Sequence, residues 1–373
     1  VDKLLHISAN IYQPLNGKHH HTKNIWKELA KGFDEYHVLA RNKTNSYSYS
    51  NEGNIHLHLL PRITKKSKIF FITSFWMFWI IKKYKITHLL AQCPIVGGFM
   101  GVIASKIFKI PLFVEIHGDI YFKYMQEKTL VHKIFSKITK VTFNNATKIR
   151  SLSIAMNDML NRYGISENIK VVPNRVNLEL FKSQKRSYEL HSPIRIISIG
   201  RFVQQKGYDI AIEAIKKLSY RHYIELYLIG GGNLYDKYVD LSKGYENIKL
   251  IKWIEQSELK VLLEESDIYI QPSKPYFGEA MPRTILEAMA MKLPIIATNI
   301  AAIPGILNNT NAIVINPNKV DELVEAIETL INNINLRERL ALQGYQDIIS
   351  KYEWNKVFEL YRNELKSMKY ENT

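Results

Sequence analysis

Short, nearly unbroken apolar runs recur along the chain, each pair separated by enough residues for a helix. LLHIS (4–8), HLLAQC (88–93), LFVEIH (112–117), KIRSLS (148–153) and IKVVP (169–173) occupy the first half. IRIISIG (194–200), IELYLIG (224–230), IKLI (248–251), DIYIQPS (267–273), PIIAT (294–298) and AIVIN (312–316) occupy the second. Amphipathic stretches such as Tyr208–Ser219 and Val320–Asn332 lie between them. Continuous rather than alternating apolar strands, each followed by a helix, predict parallel sheets covered on both faces. The series halts in the polar stretch 182–193, KSQKRSYELHSP. That places a boundary at Arg186 and predicts two doubly wound α/β domains, 1–186 and 187–350, facing each other across an interdomain cleft. The remaining 351–373 is expected to be a helix packing back toward the first domain. In such folds ligands bind beyond the carboxyl ends of the strands.

At 373 residues, two domains with a substantial core each are expected. The start, VDKLLHISAN, lacks the pattern of a secretory signal and reads as a first strand. No apolar run reaches the ~20 residues that span a bilayer. Ile69–Ile81, IFFITSFWMFWII, flanked by Lys65, Lys66, Lys68 and by Lys82, Lys83, Lys85, is too short to cross but suits either an interfacial anchor or a covered helix. The single Cys93 excludes a disulfide framework and a cysteine zinc site, which points to a reducing compartment.

Charge sharpens the picture. Residues 1–186 hold 29 Lys/Arg against 11 Asp/Glu, a net +18; residues 187–373 hold 22 against 24, a net −2. A positive field confined to one half suggests that this half meets something anionic: nucleic acid, a membrane surface or a phosphorylated substrate.

Three constellations carry candidate chemistry. Gly200 and Arg201, with Lys206 and Gly207, directly follow the first strand of the second half. Two cations in a strand-end loop can converge on a diphosphate, Arg as a planar fork and Lys as a point charge. The stretch from Glu279 to Ala290 has Pro282 suited to a first helical turn, Glu279 in the loop before it and Glu287 on the helix. The N–H groups around Arg283 and Thr284 would then form an anion site. In the third, Glu115, His117, Gly118 and Asp119 close an apolar strand, so His117 could contact a reacting group. The adjacent His19, His20 and His21 cannot readily converge on one metal ion.

The order and spacing of these blocks resemble the retaining nucleotide-sugar glycosyltransferases of family 4, with the GT-B architecture of two facing Rossmann-like domains. The resemblance runs through Asn16-Gly17, His117 to Asp119, Val172 to Asn177 and on to Phe181, Gly200-Arg201 with Lys206-Gly207, Leu228 to Gly232, Pro272-Ser273, and Glu279 to Thr298. The Glu279–Glu287 segment looks like the EGLPR-type variant of transferases that build surface polysaccharides. The resemblance implies that Arg201 and Lys206 hold the donor diphosphate and Glu287 the ribose. Glu279 and His117 would lie at the donor sugar, Gly17 would let the first loop approach the phosphates, and the loop at Trp253-Ile254 would meet the nucleobase through its backbone. No metal and no other cofactor is expected, because the cations and the helix dipole stabilise the leaving diphosphate. Arg175 stands where a Gly is usual, and Gly305 where a carboxylate is usual.

The expected activity is transfer of a sugar from a UDP- or GDP-sugar to a lipid-linked acceptor of the polyprenyl-diphosphate type, in surface polysaccharide synthesis. The basic half would be bound peripherally to the anionic inner face of the cell membrane. The alternatives are a soluble transferase acting on a small polyol, sugar phosphate or glucan, and a non-catalytic nucleic-acid binder. The motif order in the neutral half argues against the last.

Overall fold

Each of the short strand-like apolar runs from LLHIS to AIVIN becomes a strand, and the central ones, such as Leu112–Glu115, Ile268–Gln271 and Ile295–Thr298, are buried along their whole length. The computed structural model describes residues 1–373 except 16–19, 63–74, 118–128, 166, 184–185, 277–279 and 371–373. It divides into two units, residues 1–172 with 358–373, and residues 173–357.

The first unit is built on β1 (Lys3–Ile11), β2 (Glu35–Arg41), β3 (Ser48–Glu52), β4 (Ile55–Leu60), β5 (His88–Ala91), β6 (Leu112–Glu115), β7 (Lys148–Ser151) and β8 (Ile169–Val171). Their order is β3-β4-β2-β1-β5-β6-β7-β8, all parallel except the edge strand β3. The connecting helices are α1 (His20–Ala30), α2 (Trp76–Tyr84), α3 (Val96–Phe108), α4 (Leu130–Asn144) and α5 (Ile154–Arg162). Three of the strands, β2 to β4, were not singled out from the sequence. Histidines interrupt the apolar character of β2 and β4, and β3, SYSNE, has no apolar run, yet His37 and His58 are fully buried. Burial pulls their imidazoles down to about 4 and about 3.

The second unit contains β9 (Ile194–Ile199), β10 (Ile224–Ile229), β11 (Ile248–Ile251), β12 (Ile268–Gln271), β13 (Ile295–Thr298) and β14 (Ile313–Ile315). They run parallel in the order β11-β10-β9-β12-β13-β14, the doubly wound order with its reversal between β9 and β12. Between and after them come α6 (Tyr208–Leu218), α7 (Tyr235–Leu241), α8 (Gln256–Glu264), α9 (Arg283–Ala290), α10 (Val320–Asn332), α11 (Ile334–Asp347) and α12 (Trp354–Lys366). Ile196, Leu226, Ile270 and Ile296 meet Ile212 and Ile215 of α6 and Leu323 and Ile327 of α10 in its core. Each such side chain contributes roughly 1.5–3 kcal/mol by leaving water.

The division falls after Val172 rather than after Arg186. The connecting stretch is bonded to the second unit: Asn174 Nδ2 donates to Met281 O at 2.7 Å, and the Arg186 guanidinium donates to the carbonyls of Leu263 and Ser266 at 2.7 and 2.6 Å. Polarity alone suggested a linker there, but these residues fasten helix and strand ends. From Phe358 on, α12 belongs to the first unit, where Lys148 Nζ meets Glu364 Oε2 at 2.6 Å.

Candidate functional site

The strand order reverses between β9 and β12, the switch point at whose carboxyl end such folds bind ligands, and the loops after these two strands are fastened together there. Gly207 has φ +64°, and a Cβ on it would lie 1.9 Å from Pro272 O, so only glycine lets the backbones approach this closely. Lys274 N donates to Gln205 O at 2.8 Å, Gln204 Nε2 donates to Tyr276 OH at 2.7 Å, and Lys274 Nζ pairs with Asp209 at 2.6 Å. Arg201 is exposed on this loop, while the stem of half-buried Lys206 folds over Gly200, whose added Cβ would sit 3.1 Å from Lys206 Cε. Both predicted diphosphate cations therefore occupy one short loop at the switch point.

The glycine run after β10 completes the wall. Gly230 has φ +148°, and a Cβ there would fall 1.9 Å from Gly200 O, so this loop also presses against the cation loop. Phe202 N donates to Gly231 O at 2.8 Å, and the Phe202 ring, fully buried, stacks on Tyr235 at 5.7 Å. The exposed Trp253 lies over Gly231, next to half-buried Ile254, so the segment expected to meet a nucleobase borders the same edge.

Helix α9 begins at Arg283, with Pro282 as its N-cap and without a side-chain cap. Pro282 thus stands one position before the first turn, because its ψ of 120° is extended. The Thr284 hydroxyl is within 2.9 Å of Tyr269 OH, which also donates to Gln271 Oε1 at 2.8 Å. That network occupies the hydroxyl, and the Arg283 and Thr284 N–H groups lie in the first turn of the helix. Glu287 keeps a partly exposed side chain, yet the protein around it desolvates its carboxyl and pushes it above the usual range, an effect partly offset by the Arg283 charge one turn earlier. Glu279 lies outside the described residues, as do Gly17, Gly118, Asp119 and His19. Arg175, at the position where glycine is usual, sets its guanidinium 5.4 Å from the Trp354 ring centre.

In the first unit His117 follows β6 and is exposed, and its Nε2 lies 3.1 Å from Glu115 Oε2. Residues two apart in an extended chain share a face, which brings the pair together. Glu115 is a buried hub: its Oε1 accepts from Arg150 NH1 and from Tyr361 OH, both at 2.5 Å. Burial pushes its carboxyl up, but His117, Arg150 and His6 outweigh that and hold it well below the usual range. His6, within 2.7 Å of Tyr36 OH through Nδ1, is pulled down to about 4 by burial. The roles of Arg150, Tyr361 and His6 were not legible in the sequence. The one available signal was the Glu115, His117 spacing of two on a strand.

Residues 15–180 match the family described as Glycosyltransferase Family 4, and residues 181–347 match Glycosyl transferases group 1. The chain is 26% identical to an uncharacterised glycosyltransferase of Methanocaldococcus jannaschii, MJ1178, across 94% of both chains. It is 31% identical to the amylovoran biosynthesis glycosyltransferase AmsK of Erwinia amylovora, over 39% of this chain and 37% of that one. The structure of Anabaena HepE in complex with UDP superposes with a TM-score of 0.77 at 16% identity, covering 98% of this chain and 100% of that chain. Two Rossmann-like α/β units, the family matches and this shared architecture together identify the chain as a glycosyltransferase of the GT-B type, related to enzymes of polysaccharide biosynthesis.

Proposed function

We propose that the chain transfers a hexosyl group, with retention of anomeric configuration, from a UDP- or GDP-sugar to a lipid-linked glycan acceptor of the polyprenyl-diphosphate type. The observation that carries this reading is the strand-order switch point between β9 and β12, where Arg201 and Lys206 share one loop clamped by Gly207 against Pro272. Their charges, with the dipole of α9 at its first turn, Arg283 and Thr284, would stabilise the departing diphosphate without a metal ion. Glu287 would accept hydrogen bonds from the ribose hydroxyls, and the backbone at Ile254 would meet the base. Glu279 and His117 would act at the donor sugar and Gly17 beside the phosphates. HepE has been crystallised with UDP and with UDP-glucose, which favours a nucleotide-sugar donor. AmsK serves amylovoran biosynthesis, which favours a polysaccharide product.

The acceptor would be met at the inner face of the cell membrane. No helix among the described residues is long and apolar enough to cross a membrane. In α2 and the residue before it, Met77, Ile80 and Ile81 are core, whereas Phe75, Trp76 and Trp79 stay exposed, with Lys83 Nζ 4.5 Å from the Trp79 ring centre. On α4, Leu130, Val131 and Ile134 are exposed beside Lys133 and Lys137. Interleaved aromatic and basic groups suit an anionic lipid surface, where each lysine contributes about 1 kcal/mol.

Calorimetric titration of UDP and GDP into Arg201→Ala and Lys206→Ala tests the donor site. Losing a charge-assisted hydrogen bond of about 1.5–3 kcal/mol weakens binding at least about tenfold. Unchanged affinity in both variants removes these residues from the site. Absence of pelleting with anionic liposomes in low salt would move the acceptor to the soluble class.

A further inference from the structure

We propose that Glu35, His37 and His56 form a site for a divalent transition-metal ion of the zinc type, at the opposite edge of the first sheet from His117. This goes beyond sugar transfer and does not depend on it. The residues are brought together by register. In the parallel ladder His37 faces His56 across β2 and β4, and Glu35, two residues before His37, points to the same side. One ligand atom from each lies within 4.8 Å of the other two. Glu35 and His37 begin β2 and His56 is near the start of β4, so the cluster sits at the amino ends of the strands.

The surrounding hydrogen bonds give the side chains their orientation. Tyr47 OH lies 3.0 Å from His58 Nδ1, His58 Nε2 lies 3.0 Å from His37 Nδ1, and His37 Nε2 lies 2.9 Å from Glu35 Oε2. Lys3 Nζ holds the other carboxylate oxygen at 2.5 Å. Because a carboxylate only accepts, the direction of the chain is fixed: Tyr47 donates to His58, His58 to His37, and His37 to Glu35. Tyr49 OH similarly occupies His56 Nδ1 at 2.7 Å, leaving Nε2 as the remaining ring nitrogen. Outer partners that fix ring orientation are the usual support of imidazole ligands.

Two imidazoles and a carboxylate are a donor set for borderline divalent ions rather than for magnesium or calcium. Tetrahedral zinc, with bonds of about 2.0–2.2 Å, requires ligand atoms roughly 3.3 Å apart. The Glu35–His37 pair is already that close, so the adjustment falls on His56, which is half-buried and must tilt out of its stack on His37, where the ring centres are 4.5 Å apart. Water would fill the fourth position on the exposed side. On binding, each imidazole keeps one proton but carries it on Nδ1: His37 then donates to His58, His58 to Tyr47, and His56 to Tyr49. The ion would tie β2 to β4 and leave the transfer chemistry to the other edge.

The test uses the intact, untagged chain after chelator dialysis, titrated with Zn2+ against a chromophoric chelator and followed by thermal unfolding. One equivalent should bind with micromolar or tighter affinity and raise the Tm by several degrees, and His56→Gln and Glu35→Gln should each weaken binding at least about tenfold. Each variant's metal-free Tm and circular dichroism establish that it folds. A combined His19→Gln, His20→Gln, His21→Gln variant and Cys93→Ser should bind as the original chain does. Binding retained in His56→Gln and Glu35→Gln, binding abolished by the His19–His21 or Cys93 changes, or no binding at all would overturn the proposal.

Discussion

Replacing Tyr361 with Phe removes one oxygen atom from the first unit and leaves the ring in place. The ring contacts with Phe113, 5.6 Å between centres, and with the Arg150 guanidinium, 4.7 Å away, survive the change. What is lost is the 2.5 Å hydrogen bond to Glu115 Oε1. Burial, and then the Glu115 charge, hold the Tyr361 hydroxyl well above its ordinary pKa, so it is the donor at every relevant pH. Hydrogen bonds to a charged group contribute about 1.5–3 kcal/mol. Tyr361 and Glu115 are buried, so water does not replace the missing donor. For a unit of this size, about 2–4 °C of Tm per kcal/mol gives a drop of about 3–12 °C. Urea unfolding, with hydrogen exchange resolving β6, β7 and α12, assigns the loss to the first unit. Tyr352→Phe is the control, since its hydroxyl donates to the neutral Gly305 O at 3.2 Å in the second unit and should matter less. If Tyr361→Phe costs no more than Tyr352→Phe, the buried carboxylate is not the centre of this network.

Acid should weaken the first unit in two stages. The depressed imidazoles of His6, His37 and His58 contribute stability that is complete above about 6.5 and is lost as pH falls toward about 4 for the first two and about 3 for His58, while the depressed carboxyl of Glu115 contributes stability present above about 4.5 and lost below it. Urea midpoints between pH 7 and pH 3 should show both stages, and an equally steep lower stage in Glu115→Gln would discount the carboxylate. Gly207→Ala should cost at least about 2 kcal/mol, because the residue has φ +64° and its Cβ would meet Pro272 O; an unchanged denaturation midpoint would contradict the close approach. Glu287→Ala should weaken UDP or GDP binding at least about tenfold even without sugar, by loss of hydrogen bonds of about 1.5 kcal/mol or more, whereas Glu279→Ala and His117→Ala should leave nucleotide binding near normal and reduce turnover. Full transfer rates in the latter two would remove them from the reaction centre.

Strands were readable wherever burial on both faces demanded uninterrupted aliphatic residues, from Leu4 in β1 to Ile315 in β14. Helices such as α10, found at the predicted Val320–Asn332, followed from their apolar stripe. The runs that escaped, β2 and β4, are those in which buried His37 and His58 take aliphatic positions. A histidine made neutral by its surroundings cannot be told from an exposed one by residue type. The cation loop was visible because its residues are adjacent in sequence. The hub at Glu115 was not, because Arg150 is 35 residues away and Tyr361 is 246 residues away, and no local spacing connects them. The boundary read at Arg186 lies beyond the division after Val172 for a related reason: a polar stretch announces solvent, and this one spends its guanidinium on backbone carbonyls.

The crossing of the chain back into the first unit at Phe358 gives biosynthesis a particular order. A ribosome delivers residues 1–172 first, with Glu115 and Arg150 among them, and then must make the whole of 173–357 before Tyr361 exists. During that interval the nascent first unit holds a carboxylate and a guanidinium meant for the interior without the phenol that completes their coordination. The middle portion would therefore close on itself before the first unit is complete, the earlier portion waiting for the part of α12 that follows Val357. A chain truncated after Val357 should display a second unit already resistant to protease and a first unit still open to it.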